Sequence, residues 1–261
     1  MTTPPAPTIQ PAAGRLGVLT VGLGAVSSTL IAGVELARRG QAAPIGSLTQ
    51  MATIRLGRRT DKRTPFIRDF VPLANLNDVV FGAWDPFPDD AYVAAQRAGV
   101  LESGRHLEGI SDALREVRPM KAAFDRTYVK RLDAENTIGT IDKRSMLEAI
   151  REDINRFRDE KQVDRIVMLW AASTEIYIEE GPAHQTLESF EAAIDANDPT
   201  IAPSMLYAYA AILEGVPFAN GAPNLTVDIP VLQKLAVERG VPISGKDFKT
   251  GQTLIKTVLG P

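Results

Sequence analysis

Near its start the chain passes from a short apolar run, through a glycine turn, into a segment with helical periodicity. The run LGVLTV at 16–21 ends at Gly22 and is typical of a buried strand. Apolar residues in 26–39 then recur at helical spacing as far as Gly40, a common helix terminator. This order favours a parallel sheet, because a helix carries the chain back across the sheet to start the next parallel strand.

The same alternation continues along the chain. A β-branched run at 78–82 predicts a second strand, and Asp89 is predicted to cap a helix that extends to residue 98. An amphipathic helix is predicted over 142–161, and the apolar run at 165–172 predicts a strand buried on both faces. Further helices are predicted at 187–196, 203–214 and 229–240, and short strands at 216–219 and 241–244. We therefore predict an α/β fold, a doubly wound parallel sheet with helical insertions.

Composition excludes several kinds of site. The 261 residues include no cysteine, which excludes disulfides, thiolate metal sites and cysteine nucleophiles. The two histidines, His106 and His184, lack a metal-type spacing, so no metal site is predicted, although an oxygen-ligated cation stays open. Lys and Arg number 29 against 32 acidic residues, so there is no global basic field that would favour nucleic acid or a membrane as partner.

The N-terminal residues 1–13 are rich in proline and alanine. They lack the basic start and apolar run of a signal peptide, so we predict a disordered tail on a cytoplasmic protein. No segment approaches the roughly 20 unbroken apolar residues of a membrane span. We therefore expect no association with a membrane.

The glycine turn supplies part of a dinucleotide-binding motif. Gly22 and Gly24 occupy two of its glycine positions, and Ser27 stands at the third. Such glycines let the backbone approach a pyrophosphate held by the helix N-terminus. Against this reading, residues 41–50, about where an acidic residue would hold the ribose, are neutral. Asp85, after the second predicted strand, is a candidate for that role, and a tight turn without a ligand stays open.

A second motif lies at 244–256, where lysines stand in a loop rich in Gly, Ser and Thr before an apolar periodic segment. Lys246, Lys249 and Lys256 could neutralise a phosphate and transfer protons, with Asp247 orienting one of them. The alternative is a solvated charged turn before a helix.

Three separated segments together resemble one family. They are VGLGAVSSTLIAGV at 21–34, ILEGVPFANGAPN at 212–224 and SGKDFKTGQTLIKTVL at 244–259. In this order they resemble the myo-inositol-1-phosphate synthases, NAD-dependent isomerases that turn glucose 6-phosphate into an inositol phosphate. FGAWD at 81–85 and LWAASTE at 169–175 are also similar to the family pattern. Members of the family continue well past the lysine loop, so we expect a chain truncated at its C-terminus.

The resemblance implies both a reaction and a domain plan. C5 of the open-chain sugar is oxidised with NAD, C6 then attacks C1 as an enolate, and the ketone is reduced again, so the cofactor stays bound and is not consumed. The implied architecture is a Rossmann-like NAD-binding domain at 14–219, followed at 220–261 by the beginning of an α+β catalytic and tetramerisation domain. A homotetramer is expected. The alternatives are an inactive nucleotide-binding or assembly module and an ordinary NAD-dependent dehydrogenase of a sugar phosphate.

The resemblance also assigns site residues by position. The implied cofactor-binding residues are Gly22, Gly24, Ala25, Val26, Ser27, Ser28, Asp85, Ser173, Thr174, Asn220, Gly221 and Ala222. Implied catalytic residues are Lys249, Asp247 and Lys256, with Lys249 the first choice for proton transfer to the C5 oxygen. Implied substrate contacts are Asn224, Lys246 and Thr253.

Overall fold

Strands and helices alternate along the part of the chain that the computed structural model describes, residues 13–248. The strands are β1 (Leu16–Val21), β2 (Val79–Asp85), β3 (Pro119–Lys121), β4 (Arg165–Trp170), β5 (Phe218–Asn220) and β6 (Ile243–Ser244). The helices are α1 (Ala25–Arg38), α2 (Leu48–Met51), α3 (Ile67–Phe70), α4 (Ala91–Ala98), α5 (Ser111–Glu116), α6 (Lys143–Lys161), α7 (Leu187–Asp195), α8 (Pro203–Leu213) and α9 (Pro230–Arg239). Apart from Ala13, the predicted tail lies outside the described residues.

The strands form one six-stranded parallel sheet in the order β3-β2-β1-β4-β5-β6. The central strand β1 pairs on both sides, so that Leu16 lies opposite Val79 and Arg165. The chain winds outward from β1 to β3 and then from β4 to β6 in the opposite direction. This is the strand order of a doubly wound dinucleotide-binding sheet, which confirms the predicted fold class. Its switch point between β1 and β4 is where such sheets bind ligands.

Helices cover both faces of the sheet because successive side chains of a buried strand point to opposite sides. Leu19 and Val21 of β1 belong to the core on the face of α6, α7 and α8. Val18 belongs to the smaller core on the face of α1, α4 and α5. Each large apolar side chain buried in these cores contributes about 1.5–3 kcal/mol to stability. Within residues 13–248, no helix is both long and apolar enough to pass through a bilayer.

Local capping explains where two of the helices begin. Asp142 caps α6 as predicted, since its Oδ2 accepts a hydrogen bond from Ser145 N at 2.8 Å. The prediction that Asp89 caps α4 was wrong. Asp90 does so, with Oδ1 accepting from Val93 N at 2.9 Å. Asp89 instead forms an ion pair with Arg97.

Candidate functional site

A cavity of about 510 Å³ opens at the carboxyl ends of β1, β2 and β4. Its walls come from the residues that follow these strands, namely 21–26, 84–87 and 170–173, and from 122–125 beside β3. The cavity therefore lies at the switch point of the sheet. Its size falls within the range of small-molecule and cofactor sites.

Gly22 occupies the tightest position of the cavity wall. Its φ is +96°, and a Cβ atom there would lie 2.6 Å from the Cα of Ala172 and 2.7 Å from its N. Gly22 N also donates a hydrogen bond to the carbonyl of Trp84 at 2.8 Å. No other residue fits here, because the turn lies directly against the backbone that leaves β4.

The N-terminus of α1 opens into the same cavity. The helix begins at Ala25 after Gly24, and no side chain caps its first turn. Gly24, Ala25 and Val26 are exposed and line the cavity, and a Cβ at Gly24 would meet no atom within 4 Å. The first-turn amides and the helix dipole therefore favour an anion at this point. The open backbone at Gly24 leaves room for a pyrophosphate.

The two serines of the turn differ in their contacts. Ser27 is buried and its Oγ donates to the carbonyl of Gly22 at 2.6 Å, which stabilises the turn itself. The Oγ of Ser28 is also buried, and it has no hydrogen-bond partner among the described residues. Cofactor contacts by either serine stay a prediction.

Asp85 lies at the end of β2, the neighbour of β1 in the sheet. Its Oδ2 accepts from Leu23 N at 2.5 Å and its Oδ1 accepts from Phe87 N at 2.9 Å. Burial raises the pKa of Asp85, and the two amide hydrogen bonds partly oppose this rise. Each oxygen retains a second lone pair that can accept from a ribose hydroxyl. The second strand therefore ends in an acidic residue after all, at Asp85, because residues 39–78 are inserted between α1 and β2.

Beyond Asp85 the cavity wall is mainly apolar. Phe87, Ala94 and Ala98 line it, and the guanidinium of Arg97 lies over the Phe87 ring at 5.6 Å. An apolar wall with a cation at its edge can receive a flat, weakly polar ring such as adenine.

The segment after β4 contributes Glu175, a buried residue to which the sequence motifs assign no role. Ser173 and Thr174 are exposed, and Ser173 lines the cavity, whereas Glu175 is only 6% exposed. Burial raises the pKa of Glu175 to about 7, and hydrogen bonds from Ser204 act in the opposite direction. A lone glutamate after an apolar strand carries no sequence signal of such burial.

The loop after β5 is fixed by its own asparagines. The Nδ2 of Asn220 donates to Asn224 O at 3.1 Å, and its Oδ1 accepts from Ala222 N at 3.0 Å. Gly221 N donates to Trp170 O at 2.9 Å, which ties the loop to the end of β4. Both asparagine side chains are buried. Contacts of this loop with cofactor or substrate stay a prediction.

The first residues of the lysine loop lie on this asparagine loop. Phe248 N donates to Gly221 O at 3.2 Å, and its ring packs so closely that a Cβ at Gly221 would lie 2.1 Å from it. Lys246 Nζ forms an ion pair with Asp228 Oδ2 at 2.7 Å. Asp247 is exposed, with φ of +68°. The predicted site residues Lys249, Thr253 and Lys256 lie outside the described residues.

The cavity thus brings together only part of the predicted site. The turn after β1, Asp85 and Ser173 share it, while residues 220–224 and 244–248 stack beside it at the ends of β4 and β5. Over the span 13–248, no three His, Asp or Glu side chains are grouped so that they could hold a metal ion.

Comparison with known families is consistent with this geometry. The family model of an NAD-binding domain described as myo-inositol-1-phosphate synthase matches residues 16–259. The chain belongs to the myo-inositol-1-phosphate synthase family. NAD is accordingly the cofactor of the matched domain, and the uncapped helix α1, the open backbone at Gly24 and the carboxylate of Asp85 fit a dinucleotide.

Individual relatives agree with the family. Inositol-3-phosphate synthase 1 of Bacteroides thetaiotaomicron is 51% identical over 255 residues, which cover 97% of this chain and 58% of that protein. Inositol-3-phosphate synthase 1 of Oryza sativa subsp. japonica is 36% identical, over 94% of this chain and 51% of its own length. The crystal structure of the Caenorhabditis elegans inositol-3-phosphate synthase superposes with a TM-score of 0.85 at 30% identity, covering 93% of this chain and 51% of that one. The chain therefore spans about half the length of these synthases.

Replacing Asp85 with asparagine is expected to weaken NAD binding about tenfold while leaving NADP binding no weaker. The carboxylate can accept from both ribose hydroxyls but repels a 2′-phosphate. Calorimetric titration with NAD and with NADP measures both affinities. Asp89→Asn removes the same charge from the same cavity rim and serves as the control. Equal losses for the two cofactors would show that Asp85 acts only by holding the glycine turn.

Proposed function

We propose that this protein takes part in the NAD-dependent isomerisation of D-glucose 6-phosphate to 1D-myo-inositol 3-phosphate. The single observation that carries the proposal is the cavity at the switch point, where Asp85 and the uncapped helix α1 face the same space. Membership of the synthase family supports the reaction class. The names of the matched relatives, inositol-3-phosphate synthases, support the product.

Different described residues bind different parts of the cofactor. Bound NAD supplies reversible hydride transfer at the sugar carbon. The amides at the start of α1 hold the pyrophosphate, and Asp85 orients the ribose. Phe87 and Ala94 provide the apolar wall for the adenine. Because the reaction returns its hydride, the cofactor must stay bound through a full turnover, and the mainly apolar cavity wall serves that need.

The asparagine loop serves both ligands, since we assign Asn220, Gly221 and Ala222 to the cofactor, while the lysine loop serves the substrate. We assign phosphate binding to Lys246 and Thr253, and a sugar contact to Asn224. We assign proton transfer at the C5 oxygen to Lys249, and the other catalytic roles of the same motif to Asp247 and Lys256. Cationic side chains suit this reaction because negative charge develops on the sugar oxygens. The homotetrameric assembly and the cytoplasmic location stay predictions.

Incubation of purified protein with glucose 6-phosphate and NAD tests the proposal directly. We expect inositol phosphate in the ³¹P and ¹H NMR spectra, with no accumulation of NADH in the near-ultraviolet absorbance, because the cycle is redox-neutral. Accumulating NADH with an oxidised sugar phosphate would instead identify an ordinary dehydrogenase. Binding of NAD with neither product would identify a nucleotide-binding module. Either of these two results would reject the proposed reaction.

A further inference from the structure

Glu175 is held by neutral donors from two different parts of the fold. Its Oε1 accepts from Ser204 N at 2.9 Å, and its Oε2 accepts from Ser204 Oγ at 2.5 Å and from Asn224 Nδ2 at 3.2 Å. Its own backbone N donates to Asn224 Oδ1 at 3.0 Å. Both polar atoms of the Asn224 side chain are therefore hydrogen-bonded to Glu175. The carboxylate joins the start of α8 to the asparagine loop.

These contacts continue from Glu175 to the lysine loop. The carbonyl of Asn224 accepts from Asn220 Nδ2, and Asn220 in turn fixes the backbone of Ala222. Gly221, between these two residues, accepts the hydrogen bond from Phe248 N and lies against its ring. The two bonds within the asparagine loop are buried, and the last step is a backbone hydrogen bond and ring contact of the exposed Phe248. A displacement of Asn224 is thus passed on to the loop that precedes Lys249.

Among the described residues, Glu175 is held by these hydrogen bonds and by no ion pair. Burial and the charges of Asp125 and Glu175 raise the pKa of Tyr128. Its hydroxyl accepts from Lys143 Nζ at 2.9 Å and donates to backbone carbonyls near α8. The ammonium of Lys143 therefore donates its hydrogen bonds to the Tyr128 hydroxyl and the Asp198 carbonyl, and not to Glu175. Thr226 completes the cluster through its hydroxyl contact with Ser204 at 2.9 Å.

We propose that Glu175 is a positioning residue of this site, which places Asn224 and through it the asparagine loop and residues 244–248. The inference rests on the proposed function for its effect on turnover, but not for its effect on the loops themselves. Glu175 lines the cavity, so it lies where the cofactor and the substrate loops meet. Its role is to hold the geometry in which the reacting groups face each other.

The hydrogen-bond pattern allows a test in which residues 175 and 224 exchange their donor and acceptor roles. In Glu175→Gln, one amide orientation sets Nε2 against Asn224 Nδ2, and the other sets it against Ser204 N, so donors oppose donors in both. A protonated glutamate avoids this conflict, because its hydroxyl can donate to Ser204 Oγ and still accept from Asn224. In the double variant Glu175→Gln with Asn224→Asp, the new carboxylate accepts from Gln Nε2 and from the backbone N of residue 175. Residue 175 then donates the side-chain hydrogen bond and residue 224 accepts it, which reverses their roles in the unaltered protein.

Hydrogen–deuterium exchange and steady-state kinetics test the proposal on five proteins: the unaltered chain, Glu175→Gln, Asn224→Asp, their double variant and Glu179→Gln. In Glu175→Gln we expect faster exchange in peptides covering 220–226 and 244–248, and a kcat lower by about tenfold to a hundredfold, as for a small misplacement of reacting groups. NAD affinity is expected to fall less than kcat, because the turn after β1 and Asp85 are untouched while only the loop at 220–222 is loosened. The double variant should recover most of the exchange protection and part of kcat, while its KM stays raised because Asn224 is also assigned a sugar contact. Glu179→Gln, an exposed glutamate in the same segment, is the matched control.

The outcomes separate the two proposals. If the unaltered protein forms no inositol phosphate, the proposed function fails, yet the exchange data still decide the role of Glu175. Unchanged exchange in Glu175→Gln would overturn the positioning role. So would a double variant whose peptides covering 220–226 exchange as fast as those of the worse single variant, because the restored pairing of residues 175 and 224 would then not fix the loop. Loss of protection across the whole chain would show that Glu175 stabilises the fold without a specific effect on the loops.

Discussion

Replacement of Gly22 by alanine is expected to lower the free energy of unfolding by about 3 kcal/mol or more and to abolish measurable NAD binding. Alanine disfavours the φ of +96°, and its Cβ would meet the backbone of Ala172 at 2.6 Å. The two nearest atoms, Cα and N of Ala172, belong to the backbone, so no side-chain rotation can relieve the clash. The turn must shift, and it carries with it the start of α1 and the amide of Leu23 that Asp85 holds.

Gly24→Ala is the matched control for this prediction. Its φ is −74° and its Cβ would meet nothing within 4 Å, so only the poorer N-cap residue should cost stability, about 1 kcal/mol or less. The same methyl group points into open space at the cavity, so NAD affinity should fall. Urea unfolding and calorimetric titration measure the two quantities separately. Full NAD affinity in Gly24→Ala would place the pyrophosphate elsewhere, and normal stability in Gly22→Ala would refute the packing argument.

Replacement of Lys249 by alanine is expected to lower kcat by about 10²–10⁴-fold, the usual contribution of a positioned proton-transfer group. NAD affinity should remain within about twofold of the unaltered protein, because the proposed role concerns the sugar oxygen and not the cofactor. Steady-state formation of inositol phosphate, combined with calorimetric titration of NAD, measures both effects. The motif at 244–259 carries this prediction, since Lys249 lies outside the described residues.

Two other lysines make the Lys249 experiment specific. Lys234→Ala on the exposed surface of α9 should leave turnover unchanged, because its ammonium is exposed and lies 3.9 Å from Glu238 of the same helix. Lys246→Ala should mainly raise KM, since Lys246 is assigned to the substrate phosphate and already pairs with Asp228. If Lys249→Ala loses NAD affinity as much as turnover, Lys249 is a cofactor contact or a structural residue.

Elements with a complete local signal could be predicted from the sequence. β1 and α6 were predicted at or next to their observed bounds, because each has an apolar pattern of one period and a clear terminator or cap. β2 extends past its predicted end to Asp85, and the three-residue β3 was not predicted. Both are completed by pairing with neighbouring strands, a contribution that a single segment does not contain.

The candidate site shows the same division. The glycine turn and Asp85 could be identified in the sequence because glycine, strand end and carboxylate each have a local meaning. The role of Glu175 could not, since Ser204 lies 29 residues away and Asn224 lies 49 residues away along the chain. The choice of Asp90 over Asp89 as a helix cap also required coordinates, because the two neighbours are chemically identical.

By itself the sequence determined the alternation of strands and helices, the glycine turn before α1 and the membership of a synthase family through its three motifs. Periodicity and glycine spacing are local properties that fewer than about twenty residues can express. Only the tertiary structure decided which strand ends meet at the cavity, that Asp85 faces the start of α1, and that Glu175 holds the asparagine loop. These are contacts between distant segments, and their geometry follows from the strand order and the packing of the sheet rather than from any one motif.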